Sequence, residues 1–321
     1  MSFALKKDPL ARLKGQDFLS LLDWSPDEVS ELLKLTQNVK KNKEAWLEQA
    51  PLKGKGIAMI FDKPSTRTRV SFEVAVHGLG GFTLQLRQDE LQLGRGESVE
   101  DTARILSGYV DAVVIRTFSH EMVEQLAEAA SIPVINALTD RFHPCQAVAD
   151  AFTLFEQKGK FSGVKLAYIG DGNNVLHSLM MVSALTGMHL SVSTPAGYEP
   201  DTAIWQKAEE IARSTGGTLS FHSDPASAVK EADAVYTDVW ASMGQEEEKE
   251  LRAEVFAGYQ VNEQLMAQAK NDAVFMHCLP AYRGLEVTEA VIDGPASIVF
   301  RQAENRLHAQ KALLIALLGN A

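Results

Sequence analysis

The strongest constraint on how this chain folds is the way its short apolar runs end. Gly56 to Phe61 (GIAMIF), Ala112 to Ile115, Leu166 to Ile169, Ala234 to Val239 and Val274 to Met276 are too short for free-standing helices. Most of them run straight into polar or charged residues. Runs of this kind, without polar alternation, mark strands buried on both faces. Longer amphipathic stretches separate them. That alternation predicts an α/β fold with mostly parallel sheets flanked by helices. In such sheets ligands bind beyond the carboxyl ends of the strands. Phe82 to Leu86, Ile132 to Ile135 and Leu190 to Ser193 are further expected strands.

Helices are expected where apolar residues keep a helical period. Ser25-Pro26-Asp27-Glu28 starts one, with Ser as N-cap, Pro in the first turn and Glu closing a capping box. Val29, Leu32, Leu33, Thr36 and Val39 then hold the period. Others are expected from about Val70 to His77, from Pro144 to about Glu156, after Asn174, and from Ala303 to Leu318. With 321 residues the chain is long for one domain. We expect one domain over 1–147, a second over 148–300, and a closing helical segment over 301–321.

Charge narrows the function. Lys and Arg number 31 against 42 Asp and Glu, a net −11. Such a chain is a poor partner for nucleic acid or an anionic membrane. An anionic substrate would need a local basic pocket. No apolar run approaches the ~20 residues that span a bilayer, and the first residues lack the apolar core of a secretory leader. The two cysteines, Cys145 and Cys278, make no disulfide framework. We therefore expect a cytoplasmic protein with reduced thiols.

The polar clusters carry the chemistry. Ser65-Thr66-Arg67-Thr68-Arg69 lies between an expected strand and helix, where helix N–H groups and guanidiniums suit a phosphate. A capped helix start with solvated arginines is the plainer alternative. The segment is no Walker loop, since it lacks the glycines and the Lys-Ser/Thr end. Arg116-Thr117 ends another strand, and His143-Pro144-Cys145-Gln146 offers groups that reach a carbonyl or an amide. Zinc at His143 and Cys145 is not expected, because the paired ligand spacing is missing. Gly170-Asp171-Gly172-Asn173-Asn174-Val175 sits where a dinucleotide fingerprint would. Its third glycine position is Val175, and no acid ends the next strand to hold a ribose. Asp238 and Cys278 also stand at strand ends; their plainer roles are a helix cap and a buried structural thiol.

Taken in order along the whole chain, these motifs resemble the transcarbamoylase family, and within it the ornithine branch. Ser65-Thr66-Arg67-Thr68-Arg69, Arg116-Thr117 and His143-Pro144-Cys145-Gln146 are similar to the family's carbamoyl phosphate motifs. Asp171-Gly172-Asn173-Asn174, Asp238 with Ser242-Met243-Gly244, and His277-Cys278-Leu279-Pro280 are similar to the ornithine branch. The aspartate branch differs at the Cys278 motif, and the acetylornithine and succinylornithine branches lack this Ser-Met-Gly loop.

The resemblance implies a reaction: carbamoyl phosphate and L-ornithine give L-citrulline and phosphate. It implies that the last helix returns to the first domain, and that no cofactor or metal takes part. It also implies a homotrimer with sites between subunits, Gln92 coming from a neighbouring chain. Carbamoyl phosphate would be bound by Ser65, Thr66, Arg67, Thr68, Gln92, Arg116, His143, Gln146, Cys278, Leu279 and Arg301. Thr68, Arg116 and His143 would face the carbonyl oxygen, and Gln146 the carbamoyl nitrogen. Asn174, Asp238, Ser242 and Met243 would hold ornithine. Arg116, His143, Asp238 and Cys278 would be the catalytic group. Two other readings compete: a transcarbamoylase for another amine such as putrescine, and a nucleotide-binding module that keeps only the anion pocket.

Overall fold

The computed structural model describes residues 9–62, 65–87, 96–242 and 246–319. Their contacts divide the chain into two units, one of residues 1–148 with 306–321, the other of residues 149–305.

In the first unit the strands are β1 (Gly56–Phe61), β2 (Phe82–Arg87), β3 (Ala112–Arg116) and β4 (Val134–Leu138). They pair in parallel in the order β2-β1-β3-β4. The helices are α1 (Pro26–Lys41), α2 (Lys43–Gln49), α3 (Thr66–His77), α4 (Val99–Ser107) and α5 (His120–Ala129), followed by α6 (Pro144–Lys158), which runs on into the second unit. The capping box that opens α1 forms as read: the Ser25 hydroxyl accepts from the Glu28 amide at 3.3 Å, and Glu28 accepts from the Ser25 amide at 2.8 Å. β1 and β3 carry almost no exposed residue, as parallel strands covered on both faces must.

In the second unit the strands are β5 (Lys165–Ile169), β6 (His189–Ser193), β7 (Thr218–Phe221), β8 (Ala234–Thr237) and β9 (Val274–Met276). Their order is β7-β6-β5-β8-β9, again all parallel. The helices are α7 (Asn174–Thr186), α8 (Thr202–Thr215), α9 (Pro225–Val229), α10 (Lys249–Val255), α11 (Glu263–Met266), α12 (Glu289–Ile292) and α13 (Val299–Leu318). The later part of α13 belongs to the first unit, where the Gly15 amide donates to the Leu317 carbonyl at 2.9 Å. The expected return of the last helix is thus present.

Several boundaries differ from the expectation. β4 starts at Val134, after Pro133, because proline has no N–H to give the ladder. α3 begins at Thr66 and α13 at Val299, each four residues earlier than the apolar period indicates. β8 stops at Thr237, so Asp238 lies just past the strand.

Each sheet has one place where the strand order reverses, between β1 and β3 and between β5 and β8. Crevices open at such points. Ser65 to Thr68 follow β1, and Arg116 ends β3. Asp171 to Asn174 follow β5, Asp238 follows β8, and His277 to Leu279 follow β9. Most of the motifs read from sequence therefore flank the two switch points, while His277 to Leu279 follow the edge strand β9.

Candidate active site

In the first unit, guanidiniums converge on one hydroxyl. Thr68 is fully buried in the first turn of α3. Its Oγ1 accepts from Arg306 Nη2 at 2.8 Å and lies 3.5 Å from Arg116 Nη1. Both arginines are buried, at 3% and 8% exposure. Ser65 occupies the N-cap of α3 but makes no side-chain cap hydrogen bond, so the plainer reading of a capped helix start does not hold. Arg67 is exposed at the same helix end, and Arg69 turns away to Glu73 at 3.2 Å.

His143 is buried beside this cluster, and its pKa falls well below the usual histidine range. Burial is the largest cause; the positive charges of Arg306, Arg116 and Arg67 add to it. The imidazole is therefore neutral at pH 7 and acts as a hydrogen-bonding group. Gln146 follows on the first turn of α6, also buried. Cys145 faces the Asn136 carbonyl at 3.4 Å, and burial pushes its thiol up to about 12, which makes it inert.

In the second unit the groups hold one another. Asn173 caps α7, its Oδ1 accepting from the Val175 and Leu176 amides at 3.0 and 3.1 Å. Its Nδ2 donates to Asp238 Oδ2 at 2.9 Å. The other oxygen of Asp238 accepts from the Cys278 thiol at 3.0 Å. Asp238 is buried, while Cys278, Asn174 and Ser242 are half-buried. Gly172 explains the glycine turn: a Cβ there would stand 2.5 Å from the backbone of Tyr198, Glu199 and Pro200. The glycine serves a close backbone approach within the fold.

Two further networks brace this cluster. Arg252 of α10 donates to Asp171 at 3.0 Å, to the Trp240 carbonyl at 2.8 Å and to Glu248 at 2.8 Å. Burial still lifts Asp171 to about 6, against the pull of Arg252. Behind β9, the His277 amide donates to Gln302, whose Nε2 donates to the buried Asp150 at 2.7 Å. Asp238, His277 and Cys278 bring ligand-type atoms within 4.8 Å of one another. The histidine is already engaged, however: Nδ1 accepts from the Leu279 amide at 2.8 Å and Nε2 lies 3.3 Å from Glu286. A metal there would have to break one of those contacts.

The structure thus gathers Thr68, Arg116 and His143 in the first unit, and Asp238 and Cys278 in the second. Gln92 and Met243 lie outside the described residues. Arg301 is exposed in the second unit and donates to Gln157 at 2.6 Å. The guanidinium that joins Arg116 on Thr68 is Arg306, which the sequence did not single out. Its signal was a charged residue among the apolar positions of the last helix. Arg252 and Glu286 were also missed; Asn173 lay in a motif that the sequence did single out, and its N-cap role is the local pattern there.

Comparison with known proteins gives a consistent result. The carbamoyl-P binding domain of aspartate/ornithine carbamoyltransferase matches residues 16–156, and the Asp/Orn binding domain matches residues 162–317. An ornithine carbamoyltransferase of Anoxybacillus flavithermus is 58% identical over 307 residues, covering 96% of this chain and 98% of the relative. The solved ornithine carbamoyltransferase from Pyrococcus furiosus is similar with a TM-score of 0.92 at 52% identity, over 96% of this chain and 99% of that one. An anabolic ornithine carbamoyltransferase from Campylobacter jejuni is similar with a TM-score of 0.87 at 40% identity, over 93% and 97% of the two chains.

Proposed function

We propose a function from a firm premise: the chain belongs to the aspartate/ornithine carbamoyltransferase family. It transfers the carbamoyl group of carbamoyl phosphate to the side-chain amine of L-ornithine, giving L-citrulline and phosphate. The observation that carries the site assignment is the pair of buried guanidiniums, Arg116 and Arg306, on Thr68. In a chain of net charge −11 two buried guanidiniums on one hydroxyl form the kind of local basic pocket that an anionic substrate uses.

The first unit then binds carbamoyl phosphate and the second binds ornithine. Ser65, Thr66, Arg67, Thr68 and Arg116 hold the phosphate, joined by Arg306. Thr68, Arg116 and the neutral His143 donate to the carbonyl oxygen, where charge builds as the amine attacks. Donors fixed at such an oxygen are worth about 2.7–4 kcal/mol each. Gln146 holds the carbamoyl nitrogen.

The nucleophile must be neutral. An alkylamine with a pKa near 10.4 loses about 4–5 kcal/mol in supplying its neutral form at pH 7. Asp238 favours the ammonium, so it binds and orients. Cys278 donates its thiol proton to Asp238, which leaves sulfur lone pairs to accept from the amine and aim its own lone pair. The N–C bond forms, the C–O bond to phosphate breaks, and the departing phosphate takes the amine proton. Asn174, Ser242 and Met243 hold the α-carboxylate and α-amine.

A homotrimer fits the surface of the first unit. Val70 and Val74 on α3, and Phe82 and Leu84 on the edge strand β2, are each 43–51% exposed. An apolar edge of that kind is suited to cover by another copy. The segment carrying Gln92 follows that strand directly in sequence, in keeping with a Gln92 contributed by a neighbouring chain. The working thiol of Cys278 suits the reducing cytoplasm. Run toward citrulline, the reaction serves arginine biosynthesis.

The test is citrulline formation from carbamoyl phosphate with L-ornithine, beside putrescine, N-acetyl-L-ornithine and L-aspartate. Turnover with ornithine alone is expected. Turnover with another amine instead would overturn the roles of Asp238 and Ser242.

A further inference from the structure

We propose that Glu286, acting through His277, is a positioning residue that sets the Cys278–Leu279 backbone for the incoming amine. The inference rests on the reading of Asp238 and Cys278 as the amine's partners.

The observations begin with burial. Glu286 and His277 are 0% and 1% exposed. A carboxylate taken out of water is costly unless something nearby uses its charge. Glu286 Oε1 accepts from the Tyr282 amide at 2.6 Å and lies 3.3 Å from His277 Nε2, a close polar contact rather than a straight hydrogen bond. On the far side of the ring, Nδ1 accepts from the Leu279 amide at 2.8 Å. An accepting Nδ1 leaves the ring proton on Nε2, facing the carboxylate. Glu286 thereby selects the tautomer that can hold Leu279.

Leu279 needs holding. Its φ is +60°, a region that a side chain of its kind avoids. Such a conformation persists only where the surroundings over-determine it. The amide of Leu279 is bound by the ring, and the amide of His277 is bound by Gln302 at 3.0 Å. Cys278 stands between those two fixed points, its sulfur 3.0 Å from Asp238. The line from Glu286 to His277, Leu279 and Cys278 ends on the group that receives the amine. The carboxylate touches no substrate; it acts through the ring.

A double-substitution cycle separates this role from simple structural support. In His277→Asn the amide oxygen takes the place of Nδ1, and no tautomer remains to be selected. In His277→Gln the side chain reaches toward Glu286 but offers no acceptor at the Nδ1 position. We expect kcat to fall about a hundredfold in His277→Gln, the scale of a reacting group displaced by about an ångström. It should fall no more than about fivefold in His277→Asn. Glu286→Gln should lower kcat about tenfold in the parent and by less than about twofold in the His277→Asn background. Carbamoyl phosphate affinity, measured by calorimetry, should fall far less than kcat in every variant, because the groups read as holding the phosphate belong to the first unit. Equal losses from Glu286→Gln in both backgrounds, or equal losses in His277→Asn and His277→Gln, would overturn the proposal. Should a His277 variant fail to fold, Glu286→Gln alone decides, and parental kcat there overturns it. A parent that makes no citrulline would instead strike the underlying reading of the site.

Discussion

The two units gather their polar groups in opposite ways. In the first unit positive groups meet on Thr68, and Arg116, Arg306 and Arg67 all push His143 toward its neutral form. In the second unit Asn173, Asp238 and Cys278 are already joined by hydrogen bonds. The first is a gathering of like charges on one hydroxyl. The second is a finished network that a ligand must enter at the right angle. A field is forgiving of shape and demanding of charge. A network is demanding of shape, because a wrong ligand leaves its polar groups unpaired. A small dianion suits the one, and an amino acid chosen among close analogues suits the other.

The sharpest way to break this contrast is to remove charge from the field. Arg306→Gln should weaken carbamoyl phosphate binding by about 3 kcal/mol, roughly a hundredfold, by calorimetry. The ligand-free variant should melt no lower than the parent, since it loses a repelling neighbour. Unchanged binding would remove Arg306 from the site. Next is the network. Asp238→Asn should cut kcat with ornithine by about 2 kcal/mol, roughly thirtyfold, and leave carbamoyl phosphate binding intact. Cys278→Ser should do the same to a smaller degree, about tenfold; unchanged kinetics would remove Cys278 from the mechanism.

A smaller effect concerns pH. Burial raises Asp171 from 3.8 to about 6 in the folded protein. The folded state then takes up this proton before the unfolded state does, so the group's contribution to stability falls as pH rises through that window. Asp171→Asn removes the titration, and the melting temperature of the variant should rise more steeply than the parent's between those two pH values. The smallest effect is expected at Arg301. Arg301→Ala should change carbamoyl phosphate affinity by less than about twofold, because this exposed side chain is bonded to Gln157. A large loss there would return Arg301 to the site.

The pair Arg301 and Arg306 also shows what the sequence made legible. Strands such as β1 and β3 could be read because both faces are covered and the whole run is apolar. Motif positions could be read because strand ends are where such sheets bind. Side-chain direction on a helix is harder to read. Five residues along α13 turn the chain by about 140° from its starting face, so the two arginines look different ways. Arg301 was named only through the family resemblance, as a residue ahead of the expected helix; the helix starts earlier and carries both. Glu286 and Arg252 were hidden for another reason. Arg252 reaches Asp171, 81 positions away, and Glu286 reaches back to His277 across the turn after β9; no local pattern announces either contact. β7 was missed because Thr218 to Phe221 is an edge strand without a continuous apolar run.

The anion cluster draws its last guanidinium from far along the chain. Thr68 and Arg306 are 238 positions apart. At a synthesis rate of about 5–20 residues per second, roughly 10–50 seconds pass between the emergence of the hydroxyl and the arrival of its partner. Throughout that interval the nascent first unit also lacks the α13 segment that takes the Gly15 amide. The growing polypeptide therefore carries this cluster incomplete for most of its time on the ribosome, and the hydroxyl meets this guanidinium only once translation has passed Arg306.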